Sequence, residues 1–157
     1  MRHTVWRSTM LAGAGALYLL VPSAALAVKS GVWSGTTSQT NLSNHSPMQI
    51  TFEVSANRIT VLDFGADFSG RSGCSAVDSA YAERLASKNG FAGLKIVRNH
   101  FGSGNAHPNS GDHISITGEF NGSKATGSLT DSFATGTEHC STGKVSFSAK
   151  PGGSLLP

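Results

Sequence analysis

The chain has 157 residues, 38% hydrophobic and 13% charged, with 12 Lys and Arg against 9 Asp and Glu. That is a normal size for one domain with its own core. No basic run is present to hold phosphates, which argues against nucleic acid as a partner.

Arg2, His3 and Arg7 make a basic beginning, residues 10–21 are apolar, and Ala25-Leu26-Ala27 follows Pro22. This pattern predicts a secretory signal peptide over residues 1–27, with Val28 as the first mature residue. The apolar run is too short for a stable anchor and no second run follows, so no stable membrane insertion is expected. No cysteine stands just after the cleavage site, which argues against lipid attachment. The expected product is exported, to the periplasm or the medium. Without Arg2 and Arg7, ten basic residues face nine acidic ones, so the basic balance belongs mostly to the leader.

Residues 28–150 read as a single β-domain and residues 151–157 as a flexible tail. Residues 31–39, GVWSGTTSQ, form the first predicted strand, with Trp33 as its large apolar side chain. A polar loop over residues 40–47 ends in proline. Met48, Ile50, Phe52 and Val54 then alternate with Gln49, Thr51 and Glu53, the pattern of a half-buried strand. After a turn at residues 55–57, a third strand runs over residues 58–64. There Ile59, Val61 and Asp63 are expected to face away from Thr60, Leu62 and Phe64.

Residues 66–75 are rich in Gly and Ser and carry Cys74. Residues 78–88 read as one short helix, with Asp78 or Ser79 as cap, Tyr81 and Leu85 one turn apart, and Asn89-Gly90 as the stop. A weak strand follows over residues 91–97. Residues 99–111, NHFGSGNAHPNSG, read as the longest loop. Residues 131–142 read as a polar connection to a last strand over residues 144–150, KVSFSAK.

The strongest local signal is Asn121-Gly122, flanked by alternating residues on both sides. A two-residue type I′ turn there requires φ > 0 at both positions, which Asn and Gly tolerate. It would set Phe120 opposite Ser123, Glu119 opposite Lys124, Thr117 opposite Thr126 and Ser115 opposite Ser128. One face then carries Ile114, Ile116, Gly118, Phe120, Ala125, Gly127 and Leu129. Strand number and spacing predict an all-β protein of about seven to eight strands, an antiparallel β-sandwich or a small β-barrel.

These residues resemble an uncharacterised family of secreted bacterial β-domains. The likeness is carried by G-x-W-x-G-T-T-S-Q at residues 31–39, I-T-F-E-V at 50–54, the first cysteine and I-x-G-x-F at 116–120. It continues through A-x-G at 125–127 and C-S-T-G-K-V-S-F at 140–147. The resemblance implies a β-rich exported domain with paired cysteines, and no activity or site residue. G-x-W on a first strand is also similar to the opening of lipocalins and avidin-like barrels, which implies the alternative of a calycin-like barrel carrying a small ligand.

Two cysteines in an exported chain most simply form one disulfide, so Cys74 and Cys140 are expected to pair. Catalysis has little support. No serine sits in a G-x-S-x-G elbow, and neighbours such as Asp112 and His113 point to opposite faces of a strand. A secreted hydrolase therefore ranks below a binding module. No cofactor is predicted. No compact metal motif occurs either, although His100, His107 and His113 border one loop and imidazole suits zinc or copper. The expected function is a non-catalytic recognition module for an unidentified ligand or protein partner, with polar loops over a rigid scaffold. Trp33 and Phe101 are the aromatic residues considered for ligand contact, each weighed against a place in the core.

Overall fold

The structure, a computed structural model, describes residues 27–41, 44–68, 74, 81–106 and 111–156, with Tyr81 and Ala82 described through their backbone alone. All but the last residue of the predicted leader lies outside the described residues, as do Asp78, Ser79 and His107. Among the described residues ten strands are formed: β1 (Gly31–Thr40), β2 (Pro47–Ser55), β3 (Arg58–Ala66), β4 (Tyr81–Ala86), β5 (Leu94–Lys95), β6 (His100–Ser103), β7 (His113–Asn121), β8 (Lys124–Thr135), β9 (Glu138–Ser141) and β10 (Val145–Pro151). They pair antiparallel in one curled sheet of order β4-β3-β2-β1-β10-β8-β7-β6, with β5 beside β3 and β9 beside β8. The all-β expectation holds.

One short hairpin joins two distant parts of the curled sheet. Arg98 and Asn99 both have positive φ, the requirement of a type I′ turn, and Val97 and His100 exchange two 2.9 Å hydrogen bonds across them. This links β5, on β3, to β6, on β7. A single bridge thus joins the β3 side of the sheet to its β6 edge at this end of the molecule.

Inside the curl, aromatic rings fill the centre. Trp33 and Phe120 meet edge-on at 5.0 Å, Phe52 stacks on Trp33 at 6.0 Å, and Phe101 packs on Phe120 at 5.3 Å. Ring pairs at such separations add to the burial of their area. Trp33 is fully buried, and its indole N–H donates to the Lys29 carbonyl at 2.9 Å. Around the rings lie Ile50, Val54, Leu62, Phe64, Leu85, Ile114, Ile116 and Leu129. Cys74 and Cys140 form a disulfide between residues 66 apart in sequence.

Four local readings are corrected by tertiary pairing. Residues 81–86 are strand β4, followed by one 3-10 turn over Ser87–Asn89, where a helix was expected over 78–88. A short isolated helix is marginal in water. The strand instead satisfies the free edge of β3 and places Leu85 opposite Leu62 in the core. Gly90 still ends the segment, at φ 81°.

Inside β3, Glu53 pairs with Val61 while Val54 pairs with Ile59, which leaves Thr60 over as a β-bulge. The bulge reverses the alternation partway along, so Ile59, Leu62 and Phe64 all face the core. The expected opposition of Ile59 to Leu62 and Phe64 fails at that one residue.

In the central hairpin, Asn121 pairs with Lys124 and Phe120 with Ala125. The turn is Gly122-Ser123, with positive φ at Gly122 alone, as a type II′ turn requires. Glu119 thus opposes Thr126 rather than Lys124. The slip from the expected register is two residues, so both faces keep their residues. In this register Gly118 comes opposite Gly127, and the Phe101 ring takes the space a Cβ on Gly118 would need.

Lastly, two presumed loops hold strands. β6 lies within 99–111, and β8 runs on to Thr135 before turning at Gly136 into β9, which carries Cys140 inward.

Candidate functional site

The outward residues of β6, β7, β8 and β10 line an open groove of about 660 Å³. Its floor is a rung of three hydroxyls, with Thr117 opposite Ser128 and Ser128 opposite Ser146. Thr126 stands on the neighbouring rung, opposite Glu119, and Glu119 is opposite His100. Adjacent strands lie about 4.8 Å apart, which sets the spacing of these groups across the floor. Lys144 borders the other side of the groove.

Hydroxyls both donate and accept, so this floor offers paired hydrogen-bonding capacity without net charge. Charges occupy the margins. His100 Nδ1 lies 3.8 Å from Glu119 Oε2, and both side chains are more than half exposed. Such an exposed pair contributes little to stability and leaves both side chains accessible to a ligand.

A second hollow of about 470 Å³ lies beside β9, bordered by His113, His139, Ser132 and Ser141 next to Cys140. His113 is here near His139, a residue on a different hairpin. His100 faces Glu119 at the far end of β7, six residues from His113, or roughly 20 Å along a strand. His100 and His113 are therefore too far apart to share one ion. Among the described residues no three His, Cys, Asp or Glu side chains gather as metal ligands.

Phe101 borders the first groove, but its ring packs beneath Gly118 and is 5% exposed. Trp33 lies in the core and reaches neither hollow. The groove is built from strand faces, where the sequence pointed to loops. Ser, Thr and Gly alternating with core residues at 115–130 and 144–150 were visible in the sequence; their convergence was not.

A third polar site is covered by the chain itself. Ser34, Thr51, Asp63 and Arg84 form one rung across β1 to β4. Thr51 and Asp63 are each 1% exposed, although their side chains project from the outer face of the sheet. The segment after β10 lies over them. Gly152 N–H donates to the Val32 carbonyl at 2.8 Å, and the Ser34 hydroxyl donates to the Gly152 carbonyl at 2.7 Å. Leu156 N–H donates to Thr51 Oγ1 at 3.2 Å, and Arg84 Nη1 donates to the Leu156 carbonyl at 3.4 Å. The segment read from sequence as a loose tail makes these four specific bonds.

Burial raises the Asp63 pKa, opposed by the Arg84 charge, the Leu156 backbone and the Lys88 charge. Arg84 Nε lies 3.3 Å from Asp63 Oδ1. Glu83, on the same strand as Arg84, is raised as well, by burial and then by the nearby Asp112 charge.

No helix among the described residues is long and apolar enough to cross a membrane. Comparison of the chain with known protein families, with curated proteins and with solved structures gives no match. The class that can be stated is that of an all-β protein built on one curled antiparallel sheet with an internal disulfide.

Proposed function

We propose that this protein is an exported, non-catalytic recognition module, akin to the secreted bacterial β-domains it resembles, that holds a carbohydrate in the groove over β6, β7, β8 and β10. The observation that carries this reading is the hydroxyl floor of Thr117, Thr126, Ser128 and Ser146. A sugar presents the same alternation of donors and acceptors, and neutral hydroxyls can exchange partners with it group for group. Grooves of this volume are of the size that small ligands occupy. The five-ring cluster of Trp33, Phe52, Phe101, Phe120 and Phe147 occupies the centre, where a carrier barrel would need space for cargo.

Calorimetric titration with a panel of oligosaccharides tests the reading. Saturable binding is expected for one or more of them, and Ser128→Tyr, which fills the groove, should abolish it without altering Trp33 emission. Absence of binding across the panel, or unchanged binding by Ser128→Tyr, would sink the proposal. The intact mass of the secreted protein tests export separately and is expected to begin at Val28.

A further inference from the structure

We infer that the rung Ser34–Thr51–Asp63–Arg84 is a receptor site for an extended peptide segment, filled here by residues 152–156, and that the same segment of a second copy can take their place. This goes beyond the carbohydrate groove, which lies on other strands.

Leu156, between Thr51 on β2 and Arg84 on β4, sits over β3, two strand spacings or about 10 Å from β1. The four steps from Gly152 to Leu156 reach at most about 14 Å when the chain is fully extended. The segment is therefore long enough to cross the strands along one rung even with its backbone turned at Gly152 and Gly153. Its contacts at the two ends agree, with Gly152 on Ser34 and Leu156 between Thr51 and Arg84.

Thr51 takes the Leu156 N–H and Arg84 takes the Leu156 carbonyl, so the far end of the site reads both backbone groups of one residue. No side chain of the segment is needed for either bond, and any extended chain offers the same pair. The Asp63 carboxylate lies between these partners, is held in ion-pair contact with Arg84, and the Leu156 backbone also favours its charged form. A buried carboxylate so placed favours an occupant whose backbone N–H faces it.

Gly152 and Gly153 have φ of 118° and 87°, values that glycine adopts without strain. A two-glycine joint before residues 154–156 lets that piece leave its own rung while β10 stays paired, the arrangement from which segment exchange between identical chains arises. Within one chain the segment competes at an effective concentration of about millimolar, so the wild-type site is hidden from dilute peptide.

The test uses full-length Leu156→Pro, which lacks the N–H that reaches Thr51, with a labelled peptide of residues 150–157 as probe. Fluorescence anisotropy should show saturable binding at least tenfold tighter than to the wild type. Methylating the peptide nitrogen at the position of Leu156 should weaken binding at least tenfold, because the same donor is removed from the probe. Gly153→Val provides a second opened form should Leu156→Pro lose native Trp33 emission, since a Cβ at 153 would collide with Ser34. Absence of saturable binding to the opened protein, or equal binding of the plain and methylated peptides, would overturn the inference.

Discussion

Asp63 and Arg84 stand opposite one another on β3 and β4, with Arg84 Nε 3.3 Å from a carboxylate whose residue is 1% exposed. The arginine is partly exposed, so the pair joins a desolvated charge to a solvated one. Removing Arg84 leaves the carboxylate buried without its ion-pair partner. Arg84→Ala should lower unfolding stability by about 2 kcal/mol, the scale for an uncompensated buried acceptor, read by urea denaturation at neutral pH. A loss within error would mean that water reaches Asp63 freely.

The same carboxyl sets a pH dependence. Burial makes the folded protein hold the Asp63 proton more tightly than the unfolded chain does. Stability from the neutral form is therefore full below the ordinary aspartate value of 3.8 and is lost as pH rises through the raised folded value. Asp63→Asn should flatten stability over that window. Glu83, also raised, remains in the variant and is removed by the difference between the two curves. Parallel curves for the wild type and Asp63→Asn would refute the assignment.

Gly127 and Gly118 test the packing around the central hairpin. A Cβ on Gly127 would collide with the Thr117 carbonyl and the Phe147 ring, and one on Gly118 with the Phe101 ring. Alanine at either position should cost about 1–3 kcal/mol through overpacking. Gly136→Ala is the control: its φ is 57° but nothing lies within contact distance, so the expected cost is about 1 kcal/mol. Losses at Gly118 and Gly127 no larger than at Gly136 would show that crowding does not govern these two glycines.

Removing the disulfide by Cys74→Ser with Cys140→Ser opens a loop closed across 66 residues. Loop-closure entropy predicts a loss of about 4 kcal/mol. Denaturant midpoints measured on the oxidised wild type and the double variant would check it, and a difference below about 1 kcal/mol would contradict the entropic account.

How far the sequence carried depended on the range of each interaction. β1, β2 and β10 were legible because Trp33, the Met48–Val54 alternation and the Val145–Ala149 alternation are local records of a half-buried face. The faces of β7 and β8 were legible for the same reason. The turn register was not, since Asn121-Gly122 and Gly122-Ser123 are both acceptable locally and the pairing along the whole of β7 and β8 decides between them. β4 was misread because Tyr81 and Leu85 fit helical spacing, whereas the unpaired edge of β3 is invisible along the chain.

Of the sites, the chemistry was legible and the placement was not. Sequence marked the cysteine pair and the histidines, but strand order separates His100 from His113 and brings His139 beside the latter. Composition and alternation by themselves determined an antiparallel all-β domain, the inward residues of β1, β2, β7, β8 and β10, and the covalent link. The curl of the sheet, the hydroxyl groove and the covering of Asp63 by residues 152–156 were decided only in the tertiary structure. Each depends on contacts between residues far apart in the chain, and no local preference records such a contact.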